Sequence, residues 1–372
     1  MDFHLDEELL AVQGLARDIL TDKTSTDRLR EIERTESRVD DELWSELAKA
    51  GLLGIALPEE YGGAGLGFDA LCVLLEQQGR FVAPVPLWST AVAGLAIAEH
   101  GTDAERGSAL PELAEGRLRI TLALEEFGTA EPAAPACTAE RDGDAWRLRG
   151  TKAVVPSYAG AGHVLVAAST TEGPGLFLVE ASADGVTWEA TETTTWDRAG
   201  NLSLASARAA AVGAPGGGAL AWTLDRAAVA LAAIQVGVAE GALQLAARYL
   251  SERQQFGRPL ATFQSVQHQL ADCYIDIDAM RVTLLQAVSS LSDEAAAPGA
   301  HRAVLVAKWW ADQAGLDVVH RVQHLHGGIG VDVDYPVHRY FLWGKQTAGT
   351  LGGSAAALAD LGTLLAVEEV AS

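Results

Sequence analysis

Two long helical patterns are separated by the stretch RQQFGRPLATFQSVQ, which covers residues 253–267. On its N-terminal side, residues 227–249 are rich in Ala, Leu and Val on nearly every face, which predicts a helix that is buried on all sides. On its C-terminal side, apolar residues from Val266 to Leu291 recur at spacings of three, four or seven, which is typical of the seam of a bundle. With further helical patterns over about 301–326 and 354–370, the C-terminal part is predicted to be a four-helix bundle.

The pattern changes upstream of this bundle. Short apolar runs over about 118–212 predict strands, and Asp142-Gly143 between two of them predicts a hairpin, because Gly tolerates the positive φ of the turn. Residues from about 5 to 116 again show helical spacing. We therefore expect an α+β fold of three parts: an N-terminal helical domain over 1–117, an antiparallel β-barrel or sandwich over 118–213, and the four-helix bundle over 214–372.

Composition excludes several classes of protein. The formal net charge is −23, so the chain lacks the excess of basic residues that is typical of a nucleic-acid binder. The same charge disfavours binding to an anionic membrane surface. The acidic start MDFHLDEELL is unlike a signal peptide, and no uniformly apolar stretch of about 20 residues predicts a membrane span. The three cysteines are scattered, so neither a disulfide framework nor a zinc site is predicted. A cytoplasmic enzyme or enzyme subunit is the expectation.

Three sequence blocks together resemble the acyl-CoA dehydrogenase family. They are the stretch over 253–267, the block HGGIGVDVDYPVHR over 326–339, and the loop PEEYGGAG over 58–65. The resemblance covers nearly the whole chain. It implies a flavoprotein, usually a tetramer, that desaturates an acyl-CoA thioester between its α and β carbons. It also implies an electron-transferring flavoprotein as the acceptor of the electrons.

The resemblance implies that the segments that hold the ADP end of FAD are present. Arg253 would meet the pyrophosphate, because a guanidinium pairs with two phosphate oxygens at once. Gly327 and Gly328 would let backbone N–H groups approach the anion closely. The full set of expected cofactor-binding residues is Arg253, Gln255, Phe256, Gln264, His324, Gly327 and Gly328, of which Gln264 and His324 would lie near adenosine.

The segments that hold the flavin ring depart from the family pattern. The family's T-E-P-x-x-G-S-D falls on LEEFGTAE over 124–131, so Leu124 replaces the Thr and Ala130 replaces the Ser. The family's W-I-T falls on Val154-Val155-Pro156. Because a proline has neither a hydroxyl nor a backbone N–H, that position has lost its hydrogen-bond donors. These departures are hard to reconcile with a complete flavin pocket.

The catalytic base is missing from both sites that the family uses. Leu351 occupies the C-terminal site and Ala227 occupies the site in the buried helix. Asp225 is a weak candidate, because two residues turn a helix by about 200° and would point its carboxylate away from the pocket. We expect it to be an acid in the first turn of that helix, where the dipole favours a negative charge. No catalytic residue is therefore assigned.

The spacing of His320, His324 and His326 suggests a metal site, but no carboxylate or cysteine completes a ligand set and the family uses no metal. We therefore expect no metal.

The hypothesis that follows is a base-less partner subunit. The block over 326–341 is similar to the non-catalytic subunits of bacterial α2β2 acyl-CoA dehydrogenases of the cholesterol side-chain type. Such a chain would complete an FAD site shared with a homologous catalytic subunit, and the complex would oxidise a bulky acyl-CoA of steroid or polyketide type. Two alternatives stay open: a self-sufficient homo-oligomeric flavoenzyme with a relocated base, such as Asp225 or Glu125, and a non-enzymatic scaffold.

Overall fold

The computed structural model describes residues 5–128, 131–292 and 297–371. Helices come first, strands follow, and long helices end the chain, which confirms the predicted α+β fold. The helices are α1 Glu7–Lys23, α2 Thr26–Ile32, α3 Asp41–Lys49, α4 Gly67–Arg80, α5 Leu87–His100, α6 Asp103–Ala114, α7 Ala219–Glu252, α8 Gln264–Ser292, α9 Ala297–His326, α10 Val337–Gly349 and α11 Gly353–Ala371. The strands are β1 Ile120–Ala123, β2 Thr138–Asp142, β3 Ala145–Val155, β4 His163–Thr170, β5 Gly173–Glu180, β6 Val186–Glu192, β7 Arg198–Val212, β8 Gln254–Gln255 and β9 Arg258–Pro259.

The chain divides into two compact units. The barrel unit contains Asp27–Leu71 and Pro84–Ala227, and the helical unit contains Met1–Thr26, Cys72–Ala83 and Ala228–Ser372.

Strands β2, β3, β7, β5 and β4 of the barrel unit pair in a ring, so the sheet closes into a barrel, with β1 and β6 as additional strands. Most pairs are antiparallel as predicted, but β1 and β2 pair with β4 in parallel. The predicted hairpin joins β2 to β3, with Asp142 opposite Ala145 and Gly143 at φ 65°. The barrel core includes Trp146 and Phe177, whose ring centroids lie 5.3 Å apart. Closure leaves few free strand edges, so this unit is a stable platform.

Helix α9 of the helical unit packs against α8, α10 and α11. Helices α4 and α7 touch through their backbones: a Cβ at Gly237 would lie 1.9 Å from the carbonyl oxygen of Glu76. Only glycine permits this approach, and it fixes the buried middle of α7 against α4. The four predicted long helices are present, and α10 is an additional helix that the sequence analysis missed.

Two helical stretches of the described chain, Ala219–Glu252 and Val337–Val367, are long and apolar enough to cross a membrane by length and composition. Of the most apolar 18 residues of the first stretch, 72% are buried inside the chain, as expected of a core helix. The corresponding value for the second stretch is 11%. The absence of a membrane span stays a prediction.

Candidate functional site

The stretch over 253–267 forms an exposed hairpin between α7 and α8. Gln255 pairs with Arg258 across a two-residue turn made of Phe256 at φ 55° and Gly257 at φ 79°. Two positive φ angles are what a tight hairpin turn requires, but a bulky Phe adopts such a conformation only at a cost. The side chain of Phe256 is nonetheless 91% exposed. A strained and exposed aromatic residue indicates a binding function.

Phe263 supports this hairpin from below. Its ring meets the ring of Phe256 edge-on at 6.1 Å, and the guanidinium carbon of Arg258 lies 4.0 Å from the Phe263 centroid. The backbone N–H of Leu260 donates to the carbonyl of Arg253 at 2.8 Å and closes the base of the hairpin. The hairpin therefore has its own small core, which orients Phe256 outward.

The HGG block forms a tight turn at the end of α9. Gly327 has φ 62° and begins a 3₁₀ helix of five residues that ends at Val331. A Cβ at Gly327 or at Gly328 would meet no atom of the described chain within 4 Å. Packing within the chain therefore does not explain Gly328, and the backbone of this turn is open to a group that approaches from outside.

The hairpin and the HGG turn are joined by aromatic stacking. The rings of Tyr249, in the last turn of α7, and His326, the last residue of α9, have centroids 4.8 Å apart and planes 17° apart. The structure thus brings together the two blocks that sequence analysis singled out. The predicted cofactor-binding residues are all exposed: Arg253, Gln255, Phe256, Gln264, His324, Gly327 and Gly328. We call the hairpin and the turn together the nucleotide arm.

Polar groups in and beside the segments expected at a flavin ring are hydrogen-bonded within the barrel unit. Ser157 donates from both its N–H and its hydroxyl to Asp197, at 2.8 Å each, and the N–H of Val154 donates to Asn201 at 3.1 Å. The hydroxyl of Thr121 donates to the carbonyl oxygen of Pro156. Burial raises the pKa of Asp197, and its hydrogen bonds with Ser157 oppose that shift. These groups therefore do not offer a free donor to a ring.

Leu124 is buried and its apolar side chain offers no hydrogen-bond donor at this place. The predicted replacement at Ala130 lies outside the described residues. Sequence analysis missed a buried ion pair in the same segment: Nζ of Lys152 lies 2.6 Å from Oε1 of Glu126. The Lys152 side chain is fully buried, and that of Glu126 is 6% exposed.

Glu126 also accepts hydrogen bonds from the backbone N–H groups of Ala136 at 2.8 Å and Cys137 at 3.0 Å. Burial opposes ionisation of Glu126, but the hydrogen bonds from Lys152 and from these backbone groups hold the pKa of the carboxyl below its usual value. The charge of Glu126 is thus satisfied by groups of the barrel unit.

The two family base positions hold apolar residues. Leu351 is half-buried and adopts a left-handed conformation at φ 58° and ψ 42°, directly before two glycines that also have positive φ. Ala227 is fully buried in α7. One expectation for this region was wrong: α7 begins at Ala219, so Asp225 lies in the second turn and not in the first. Because the helix begins six residues before Asp225, the dipole of the first turn does not explain why an acid occupies this position.

The three histidines have separate environments. The ring of His320 meets Phe341 edge-on at 4.8 Å, His324 is exposed, and His326 is buried. Within 5–128, 131–292 and 297–371, no group of three or more His, Cys, Asp or Glu side chains is placed to hold a metal ion.

The helical unit contains buried charge that the sequence did not predict. Arg281 lies between two carboxylates, with Nη2 at 2.7 Å from Glu240 and Nε at 3.5 Å from Glu76. Burial raises the pKa of Glu76 to about 7, although the charge of Arg281 opposes this shift. Through these contacts Arg281 on α8 joins Glu76 on α4 and Glu240 on α7 in one polar network.

Comparison with known proteins gives one family along most of the chain. The model of the acyl-CoA dehydrogenase N-terminal domain matches residues 6–117, and the model of the C-terminal domain matches residues 216–361. The acyl-CoA dehydrogenase FadE27 of Mycobacterium tuberculosis is 37% identical, over 98% of this chain and 99% of its own length.

Solved structures agree with this result. A variant of the Tcur3481–Tcur3483 steroid ACAD contains a chain with 64% identity and a TM-score of 0.95, with coverage of 98% of this chain and 99% of that one. The ChsE4–ChsE5 complex from Mycobacterium tuberculosis contains a chain with 36% identity and a TM-score of 0.92, at the same coverage.

Proposed function

The chain belongs to the acyl-CoA dehydrogenase family, and within that family we propose that it is a base-less subunit that completes an FAD site on a homologous catalytic subunit. The observation that carries this proposal is an asymmetry. The seven residues of the nucleotide arm that are expected to bind FAD are all exposed, whereas the ring-side segments are apolar or internally paired.

The residues of the arm fit the ADP end of FAD. Arg253 would hold the pyrophosphate, and the open backbone at Gly327 and Gly328 would supply N–H groups to the same anion. Phe256 would offer an aromatic surface. When bound, FAD supplies the acceptor for the β-hydride of a thioester, and the proton acceptor would come from the partner subunit. The role of this chain is to bind and orient.

The exposed apolar residues support a partner. The three most exposed large hydrophobic side chains of the described residues are Phe256 at 91%, Val331 at 74% and Val333 at 71%. All three lie on or beside the nucleotide arm. Surfaces of this kind are usually covered in an assembly, so we infer that a homologous subunit covers the arm in an α2β2 complex with two flavins.

The acyl group is proposed from the relatives. Because one solved relative is called a steroid ACAD, we propose a bulky, steroid-type acyl-CoA as the substrate of the complex. We also propose an electron-transferring flavoprotein as the acceptor and the cytoplasm as the location.

Co-expression with a candidate catalytic subunit tests the proposal. We expect the isolated chain to lack flavin and the purified complex to hold two FAD per tetramer. Arg253→Ala should weaken FAD binding by the complex by about ten- to a hundredfold, because a charged hydrogen bond to phosphate contributes about 1.5–3 kcal/mol. Arg208→Ala, at an exposed arginine on β7, is the matched control and should leave binding unchanged. A yellow isolated chain that oxidises an acyl-CoA would instead favour a self-sufficient enzyme.

A further inference from the structure

The aromatic contact between Tyr249 and His326 lies where two long helices end. Arg253 follows Tyr249 by one helical turn, and its N–H donates to the Tyr249 carbonyl at 2.8 Å. Gly327 follows His326 directly. The ring of Tyr249 therefore lies where the hairpin begins, and the ring of His326 lies where the HGG turn begins. The distance between the two rings therefore affects the distance between the hairpin and the HGG turn.

The hydrogen bonds of His326 fix the orientation of its ring. Nδ1 lies 2.8 Å from the carbonyl oxygen of Val322, so it must carry the proton and donate. Nε2 has no hydrogen-bond partner among the described residues, and the side chain is buried, with 4% of the residue exposed. Burial lowers the pKa of His326, so the ring is neutral and stacks without the cost of a buried charge.

Tyr335 completes the contact from the loop that follows the HGG turn. Its ring centroid lies 5.9 Å from that of Tyr249 and 5.4 Å from that of His326. The helix end, the turn and the returning loop thus meet in one aromatic cluster.

We propose that the stack of Tyr249 on His326 is a clamp that holds the hairpin and the HGG turn at the spacing required by the nucleotide of FAD. The inference rests on the proposed function, since it concerns the same arm. Tyr249 and His326 act as positioning residues: they fix Arg253 and the backbone at Gly327 and do not themselves meet the phosphates. The stacking, rather than the phenol hydroxyl, is what matters.

The test uses the co-expressed complex, stripped of flavin and titrated with FAD. Tyr249→Leu removes the ring and should raise the Kd for FAD about tenfold. The interaction free energy of an aromatic pair corresponds to about a tenfold change in an equilibrium constant. Tyr249→Phe keeps the ring and should stay within about twofold of the unaltered complex. Phe341→Leu removes a different aromatic contact of α9, the one with His320, and serves as the matched control.

The clamp is supported if Tyr249→Leu raises the Kd while Tyr249→Phe and Phe341→Leu do not. It is overturned if Tyr249→Leu binds FAD as the unaltered complex does, or if Phe341→Leu weakens binding equally. In either case Arg253→Ala separates the two ideas. A loss of FAD affinity in that variant would leave the proposed function standing, and unchanged affinity would remove the proposed function as well.

Discussion

The buried ion pair in the barrel unit predicts a large loss of stability for Lys152→Met. The Lys152 side chain is fully buried and that of Glu126 is 6% exposed, so the substitution leaves a carboxylate almost without solvent. Removal of one partner of a buried pair costs about 3–5 kcal/mol of the free energy of unfolding. Because Glu126 keeps two backbone hydrogen bonds, we expect a loss near the lower limit, about 3 kcal/mol.

A second substitution should recover most of this loss. Glu126→Gln in the Lys152→Met background removes the remaining charge. Its single amide oxygen accepts from only one of the two backbone N–H groups, because Ala136 and Cys137 donate to different oxygens of Glu126. Replacement of a whole buried pair by neutral groups is often nearly without cost, so we expect the double variant to lose about 1 kcal/mol. The double variant would then be more stable than Lys152→Met alone by about 2 kcal/mol.

The assay is urea-induced unfolding followed by tryptophan fluorescence, to which Trp146 in the barrel core contributes. The control is Arg147→Met, because Arg147 pairs with Asp142 at 2.7 Å on the surface, where the side chains are 40% and 55% exposed. That variant should lose less than about 1 kcal/mol. If the double variant is instead no more stable than Lys152→Met alone, the loss does not come from an unpaired carboxylate and the reasoning from pairing is refuted.

Three further predictions concern the helical unit, each measured by urea-induced unfolding. The pKa of Glu76 is raised from 4.5 to about 7, so its contribution to stability is complete below pH 4.5 and is lost as the pH rises through 7. Glu76→Gln should remove up to about 3 kcal/mol of this pH dependence, and an unchanged slope would contradict the shift. Leu351→Gly should cost less than about 1 kcal/mol, because release of the left-handed conformation offsets the lost contacts; a loss above about 2 kcal/mol would contradict that strain. Gly237→Ala should cost about 3 kcal/mol or more through overpacking against Glu76, whereas Gly14→Ala, in open space on α1, should be neutral or stabilising.

Local signals in the sequence were sufficient for most of the fold. Helical spacing, the Asp142-Gly143 turn and the apolar seam of α8 each depend on near neighbours, so they could be predicted without knowledge of tertiary contacts. Helix α10 was missed because it is short and lies between the HGG block and the glycines at 352–353. The early start of α7 was missed because three glycines at 216–218 directly precede it, and glycine is unfavourable in a helix.

The candidate site was predictable to a different degree in its two halves. The nucleotide arm is carried by contiguous motifs, so its residues could be named from the sequence. The pairing of Lys152 with Glu126 joins residues 26 positions apart, and that of Ser157 with Asp197 joins residues 40 positions apart. No periodic or local pattern marks such contacts, so the internal pairing of the remaining donors could be seen only in the structure, whereas the loss of donors at Leu124 and Pro156 could be predicted from the sequence.

Leu351 and Phe256 both have a left-handed backbone conformation, but their side chains differ in exposure. Leu351 is half-buried, and two glycines follow it, so contacts within the chain offset its unfavourable conformation. Phe256 has the same kind of backbone strain but is 91% exposed, and within the described chain its only ring contact is with Phe263. Strain persists only where the surroundings enforce it. For Phe256 the hairpin turn enforces the backbone conformation, but the ring is left almost wholly exposed, which is why we propose that a partner and a shared nucleotide bind there.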